Sequence, residues 1–205
     1  MQFAALALLP LAFAATISAE TLDAFGHQWT VPLAYEWQVS GAGKNQVLRM
    51  LAAHPSIAPR RPFQQAIAET PPFSEVTLEA DVKRDATSLI LVYAWKDANH
   101  FNYAHLSVDA PAKQPVHNGI FHVYGGDRVR ISNEKGPGAL PTQAWTHVKL
   151  HYTARTGEVQ VEVNGQPFES LHAVDLSLGA GRVGIGSFFE TAQFKNVKIT
   201  GTPAP

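Results

Sequence analysis

The chain has 205 residues, with 16 Lys and Arg against 17 Asp and Glu, and it contains no cysteine. A net charge of −1 argues against a nucleic-acid or polybasic membrane-surface partner, because both need an excess of Lys and Arg. The lack of cysteine excludes disulfides, thiolate nucleophiles and Cys-ligated zinc. Only 16% of residues are charged, with 15 Gly and 14 Pro, which is typical of short strands joined by tight turns.

Residues 1–19 carry no charged side chain and contain an apolar run of about 13 residues followed by small residues. The run is shorter than the roughly 20 residues that span a bilayer, which argues against a membrane anchor. In most signal peptides a Lys or Arg precedes the apolar run, and here none does. We expect a cleaved secretory signal that ends at Ala19, with a membrane anchor as the alternative. The mature protein, beginning at Glu20, is then exported and periplasmic or extracellular.

Residues 20–205 are predicted to form one domain, because no repeat, low-complexity tract or change of composition divides them. Five prolines in residues 41–72 interrupt continuous hydrogen-bond ladders, which predicts an edge strand and long loops there. Residues 47–53 are the only helical candidate after the signal, and His54-Pro55 ends it.

The remaining chain shows the alternation of half-buried strands. Val76, Leu78, Ala80 and Val82 are apolar and their neighbours are polar. The run at 158–163 leads into Asn164-Gly165, a strong hairpin signal. Predicted strands cover residues 73–82, 88–95, 101–107, 120–124, 145–152, 158–163, 182–185 and 194–199. Eight or nine such strands predict an all-β antiparallel sandwich or jelly roll.

Five segments carry a resemblance to a known family: FSEVTLEADV at 73–82, WKDANHFNY at 95–103, WTHVK at 145–149, GRVGIG at 181–186 and FKNV at 194–197. With these segments, the span from 73 to about 201 resembles the concanavalin A-like lectin/glucanase superfamily, and within it the secreted bacterial laminin-G-like and 3-keto-disaccharide-hydrolase-like domains. The resemblance implies a jelly-roll sandwich whose concave sheet face commonly holds the ligand. It does not imply an activity, because the same fold supports lectins, hydrolases, lyases and adhesion modules.

A row of aromatic and polar side chains is the first site candidate. Phe101, Tyr103 and His105 alternate along one strand, so they share a face, and Trp95 precedes them. If that face is open, the rings suit the C–H surfaces of sugars and the polar tips suit sugar hydroxyls. Alternatively, the aromatics belong to the core and His105 lies at its margin.

Three further residues are candidates for substrate binding. His117 and Asn118 form a polar turn before a strand, although Asn118-Gly119 could equally be an ordinary turn. Arg128 could hold a carboxylate or sugar hydroxyls with its guanidinium, or simply be solvated.

The sequence gives little support for a metal site or for the paired catalytic carboxylates of a glycoside hydrolase. His147 and His151 share a strand face but are too far apart to hold one zinc ion by themselves. Asp97, Asp109 or backbone carbonyls are candidate ligands for a structural calcium ion in a loop, and no other cofactor is expected. The glucanase pattern Glu-x-Asp-x-x-Glu is matched only by Glu79-Ala-Asp81-Val-Lys-Arg84, which ends in arginine.

These observations favour an exported carbohydrate-binding protein that uses Trp95, Tyr103, His105, His117, Asn118 and Arg128. The alternative is a lyase-like polysaccharide-cleaving enzyme in which Tyr103, His105 or His117 acts as acid or base. A third hypothesis is a structural or adhesion module without a sugar site.

Overall fold

The computed structural model describes residues 20–55, 57–108, 118–133 and 136–205. Within these ranges the only helical segments are two short 3-10 turns, Ala34–Glu36 and Gly43–Asn45, and no helix is long and apolar enough to cross a membrane. The predicted signal at 1–19 lies outside the described residues.

The described chain folds into strands numbered here in chain order. Their bounds are β1 Glu20–Ala24, β2 His27–Val31, β3 Trp37–Ser40, β4 Val47–Met50, β5 Gln65–Ala68, β6 Phe73–Arg84, β7 Ser88–Asp97, β8 His100–Ser107, β9 Gly119–Tyr124, β10 Val129–Arg130, β11 Thr146–Thr153, β12 Glu158–Val163, β13 Gln166–Val174, β14 Arg182–Gly186 and β15 Ala192–Pro203.

Two antiparallel sheets contain these strands. Sheet A has eight strands in the order β1-β2-β5-β14-β7-β8-β9-β10, and sheet B has seven in the order β13-β12-β11-β6-β15-β4-β3. Their facing sides enclose one apolar core, to which β6 contributes Val76, Leu78, Ala80 and Val82 as the alternation predicts. The prediction of an all-β sandwich is confirmed.

The segment before residue 73 is more regular than expected. Val47–Met50 is strand β4 and not a helix, because Leu48 and Met50 enter the core while the backbone pairs with β3 and β15. Gln65–Ala68 pairs with β2 on one side and β14 on the other, so it is an interior strand of sheet A. The prediction of an edge strand is wrong for this segment. Pro55, Pro59 and Pro62 lie in the loop between β4 and β5, where no ladder is needed.

A β-bulge at Ala94 sets the direction of the end of β7. Val92 pairs with Gly184 and Trp95 with Arg182, so β7 uses one residue more than β14, and Ala94 has a φ of 50°. Tyr93 and Ala94 therefore both face the core, whereas Val92 and Trp95 both pack on the outer face of sheet A. Gly181 lies against this bulge so closely that a Cβ would overlap the Ala94 backbone.

Gly181→Ala is expected to destabilise the protein by about 1–3 kcal/mol, because the added methyl must displace the Ala94 backbone in a packed interior. Chemical denaturation measures the free energy of unfolding. Gly126→Ala is the control, since its Cβ would meet no atom within 4 Å, and it should stay within about 0.5 kcal/mol of wild type. Equal stabilities for the two variants would contradict the tight contact.

Candidate functional site

The outer faces of the two sheets differ in character. Sheet B presents charged and polar side chains, including His147 beside Asp81 at 2.9 Å and Lys149 beside Glu162 at 2.8 Å. Sheet A carries a second apolar cluster on its outer face, separate from the sandwich core. Its buried members are Ile67, Ile90, Val92, Phe101, Tyr103, Phe121, Val123 and Phe188.

The remnant of the glucanase pattern lies on sheet B. Glu79 and Asp81 are on its half-exposed outer face, where Asp81 also accepts a hydrogen bond from Asn196 at 2.7 Å. Arg84 is buried and donates to the carbonyl oxygens of Leu140 at 2.8 Å and Pro141 at 3.0 Å. Arginine thus replaces the third carboxylate of the glucanase pattern, and its hydrogen bonds hold the loop at residues 140–141 in place.

Arg128 lies at the centre of the outer cluster on sheet A. Its guanidinium carbon is 4.4 Å from the ring centre of Phe121 and 4.2 Å from that of Phe188. Its Nη1 atom donates to the Tyr103 hydroxyl and to His105 Nδ1, each at 3.1 Å. Because a guanidinium can only donate, His105 Nδ1 is an acceptor and carries no proton in this arrangement.

Tyr103 and His105 share the outer face of sheet A, opposite the sandwich core, with Phe101 and Arg128. That face is covered, and the exposed fractions of Tyr103 and His105 are only 0% and 1%. Burial raises the pKa of the Tyr103 hydroxyl, and the nearby Arg128 only partly offsets this effect. In this arrangement neither side chain reaches a ligand at the surface.

Two chain segments, the β4–β5 loop and the segment after β14, cover part of the outer face of sheet A. Phe188 and Phe189 pack on the cluster, and the carbonyl of Phe189 accepts a hydrogen bond from the His54 amide at 3.0 Å. His54 Nε2 lies 2.8 Å from a carboxylate oxygen of Glu36, and its ring contacts Phe63 edge-on at 5.0 Å. The β4–β5 loop and the segment after β14 are therefore joined to each other above the sheet.

Asn118 has a structural role in the described residues. It is 3% exposed, and its Oδ1 accepts from the amides of Ser107 at 3.2 Å and Ala139 at 3.1 Å. Its Nδ2 donates to the Pro137 carbonyl at 3.2 Å and to Ser170 Oγ at 2.5 Å. With both amide atoms used internally, Asn118 joins the loops at one end of the sandwich.

Two candidate positions, His117 and Asp109, lie outside the described residues, so the roles expected of them stay predictions. Asp97 accepts a hydrogen bond from the Asn99 amide at 2.7 Å and lies 3.0 Å from His100. Among the residues that the structure describes, no three His, Asp or Glu side chains converge as a metal site would require.

Trp95 lines an open groove of about 400 Å³ on the outer face of sheet A, termed here the Trp95 groove. The half-buried indole, Ile67 and Val31 line it from the sheet, and Phe63 lines it from the β4–β5 loop. Polar side chains at the same groove are Thr30, Gln65 and Arg61. Of the site residues predicted from sequence, Trp95 is the only one in this lining.

Hydrogen bonds fix the loop that borders the Trp95 groove. The Arg60 amide donates to Asp127 at 2.6 Å, and the Arg60 carbonyl accepts from the Arg128 amide at 2.9 Å. The Pro62 carbonyl accepts from Gln65 Nε2 at 3.0 Å, and Arg61 Nη2 donates to Asn99. These partners come from three parts of the chain, so sequence spacing offered no signal for the loop's position.

A second groove, of about 610 Å³, runs beside β12 and β13 and is lined by Gln160, Glu169 and His172 among others. It is larger than the Trp95 groove, but no Trp, Tyr or Phe lines it. Because aromatic rings provide the flat apolar surface on which sugars stack, we consider the Trp95 groove the stronger site for a glycan.

No family model matches the chain, and no curated protein matches it in sequence. Its structure is similar to that of the carbohydrate-binding module CBM66 from Bacillus subtilis, with a TM-score of 0.59 and 16% identity over 84% of this chain and 95% of the module. A candidate glycosyl hydrolase from Parabacteroides distasonis gives a TM-score of 0.57 and 13% identity, over 82% of this chain and 91% of that one. The fold is a concanavalin A-like β-sandwich. Identities this low establish the sandwich fold alone.

A polar cluster that sequence analysis missed lies where β9 approaches β13. Asp175 accepts hydrogen bonds from Asn102 Nδ2 at 2.8 Å and His122 Nδ1 at 2.9 Å. Partial burial acts to raise the pKa of Asp175, but hydrogen bonds from Ser177 and Asn102 and the nearby His122 outweigh it and hold the pKa below the usual 3.8. Asn102 lies in β8, His122 in β9 and Asp175 in the loop after β13, so no local sequence motif indicates this cluster.

Asp175→Asn is expected to remove a pH-dependent part of the stability. Because the folded pKa of Asp175 is depressed, its carboxylate stabilises the fold above the unfolded pKa of about 3.9, and this contribution is lost as the pH falls through the folded pKa. The difference in free energy of unfolding between wild type and variant should therefore shrink as the pH falls from about 6 to about 3.

The measurement is urea denaturation across that pH range. Asp23→Asn removes an exposed carboxylate on β1 as a control and should change the free energy of unfolding by less than about 0.5 kcal/mol. A wild-type advantage over Asp175→Asn that is constant with pH would contradict the prediction.

Proposed function

We propose that this protein is an exported carbohydrate-binding protein and that the Trp95 groove receives the glycan. The observation that carries the proposal is a half-buried indole in an open groove of about 400 Å³, next to polar side chains. An aromatic ring packs against the apolar C–H face of a sugar, and Thr30, Gln65 and Arg61 bring hydrogen-bonding groups to the same space.

Two further observations support this proposal. The similarly folded CBM66 is a carbohydrate-binding module, so this sandwich fold is compatible with glycan binding. The uncharged segment at 1–19, in which an apolar run is followed by small residues, supports export to where extracellular or periplasmic glycans are available.

The geometry of Tyr103 and His105 argues against lyase-like catalysis by these two candidates, and His117 lies outside the described residues. A general base must reach the proton that it abstracts, whereas His105 is buried and its Nδ1 accepts a hydrogen bond from Arg128. Burial also raises the pKa of Tyr103, so its hydroxyl gives up a proton less readily than an exposed tyrosine. The Trp95 groove in turn favours a binding protein over a module without a sugar site.

Trp95→Ala is expected to weaken glycan binding by about tenfold or more, because it removes the stacking surface. The measurement is affinity electrophoresis or calorimetry on a panel of neutral and acidic polysaccharides. Trp145→Ala makes the same chemical change beside sheet B, where Trp145 contacts Lys195, and should leave affinity unchanged. Equal affinities for the two variants, or no glycan bound by the wild type, would contradict the proposal.

A further inference from the structure

Arg61 is half-buried and lines the Trp95 groove. Its Nη2 donates to Asn99, but its Nη1 is shielded from solvent and has no hydrogen-bond partner among the described residues. A guanidinium is charged at all accessible pH values, so this donor cannot be removed by deprotonation. Because Nη1 is shielded, an anionic group in the groove interacts with the charge of the guanidinium and with its other N–H groups.

The charge of Arg61 is also not neutralised by a neighbouring acid. Arg60, Arg61 and Arg128 make no ion pair with a described Asp or Glu, although Asp127 binds the Arg60 amide. Arg182 provides the contrast, since it lies 5.9 Å from the Trp95 ring centre but is paired with Glu69 at 3.0 Å. Arg61 therefore brings to the groove a positive charge that no described carboxylate pairs with.

We propose that the Trp95 groove selects glycans whose sugars carry an anionic group, either a uronate carboxylate or a sulfate ester. The anionic group binds the guanidinium of Arg61, while the sugar ring packs on Trp95. Charge-assisted hydrogen bonds of this type are about twice as strong as neutral ones, so they give selectivity over uncharged sugars. This inference rests on the proposed glycan binding and adds the class of ligand.

The test compares polymers that differ in charge. Polygalacturonate is paired with its fully methyl-esterified form, and dextran sulfate with dextran, and affinities are measured for wild type, Arg61→Gln, Arg61→Lys and Arg155→Gln. The last variant is the matched control, because Arg155 is exposed in the turn between β11 and β12.

We expect the charged member of one pair to bind the wild type at least about tenfold more tightly than its neutral partner. Arg61→Gln should lower that affinity roughly 10- to 100-fold, Arg61→Lys by less, and Arg155→Gln not at all. Neutral binding should be unaffected by Arg61→Gln. The pair that responds identifies the group as carboxylate or sulfate.

Wild-type binding gives a readout that does not depend on whether a variant folds. Affinity for the charged polymer should fall as sodium chloride rises from about 50 to about 500 mM, whereas affinity for the neutral polymer should not. Thermal melting of each variant shows whether a loss of binding reflects a loss of folding.

Three outcomes would overturn the inference. They are equal affinities for charged and neutral polymers, equal losses in Arg61→Gln and Arg155→Gln, and Trp95-dependent binding that is restricted to neutral glycans. In the first and third cases, the proposed glycan binding survives if Trp95→Ala still weakens it by about tenfold or more. If no glycan of either kind binds, the proposed function itself fails.

Discussion

The outer face of sheet A is apolar, and the need to cover it organises the rest of the structure. Strands β7, β8 and β9 place apolar or aromatic side chains on both faces, so burying one face in the sandwich leaves Val92, Phe101 and Phe121 on the other. The β4–β5 loop and the segment after β14 lie over part of that second face. Where the cover ends, the Trp95 groove begins, so the shape of the candidate site follows from how far the cover extends.

Arg128 links the covering segment to sheet A without an ion pair to a described carboxylate. Its guanidinium packs between Phe121 and Phe188, and it donates to Tyr103 and His105 in the sheet below. The Tyr103 hydroxyl and His105 Nδ1, which the sequence offered as sugar-binding groups, therefore accept hydrogen bonds within the protein. In the proposed function the glycan instead contacts Trp95, which lies beyond the cover at the end of β7.

The bulge at Ala94 gives Trp95 that position. Strict alternation would place residue 95 on the same face as Tyr93, inside the sandwich. The extra residue in β7 turns Trp95 to the face of Val92, and Gly181 allows the two backbones to approach at this point. Trp95 can therefore serve both the outer apolar cluster and the groove.

The sequence by itself determined the fold class and most of the strands, because a period of two in apolar residues and the Asn164-Gly165 turn are local signals. It also singled out Trp95 and the row of Phe101, Tyr103 and His105. It did not decide whether that row is open or covered, since both faces of β8 are apolar and the covering segments are distant in the chain. Tertiary pairing likewise made Val47–Met50 a strand, used the polar atoms of Asn118 internally and brought Arg61 to Trp95. Each of these depends on contacts between remote segments, which local periodicity and residue type do not encode.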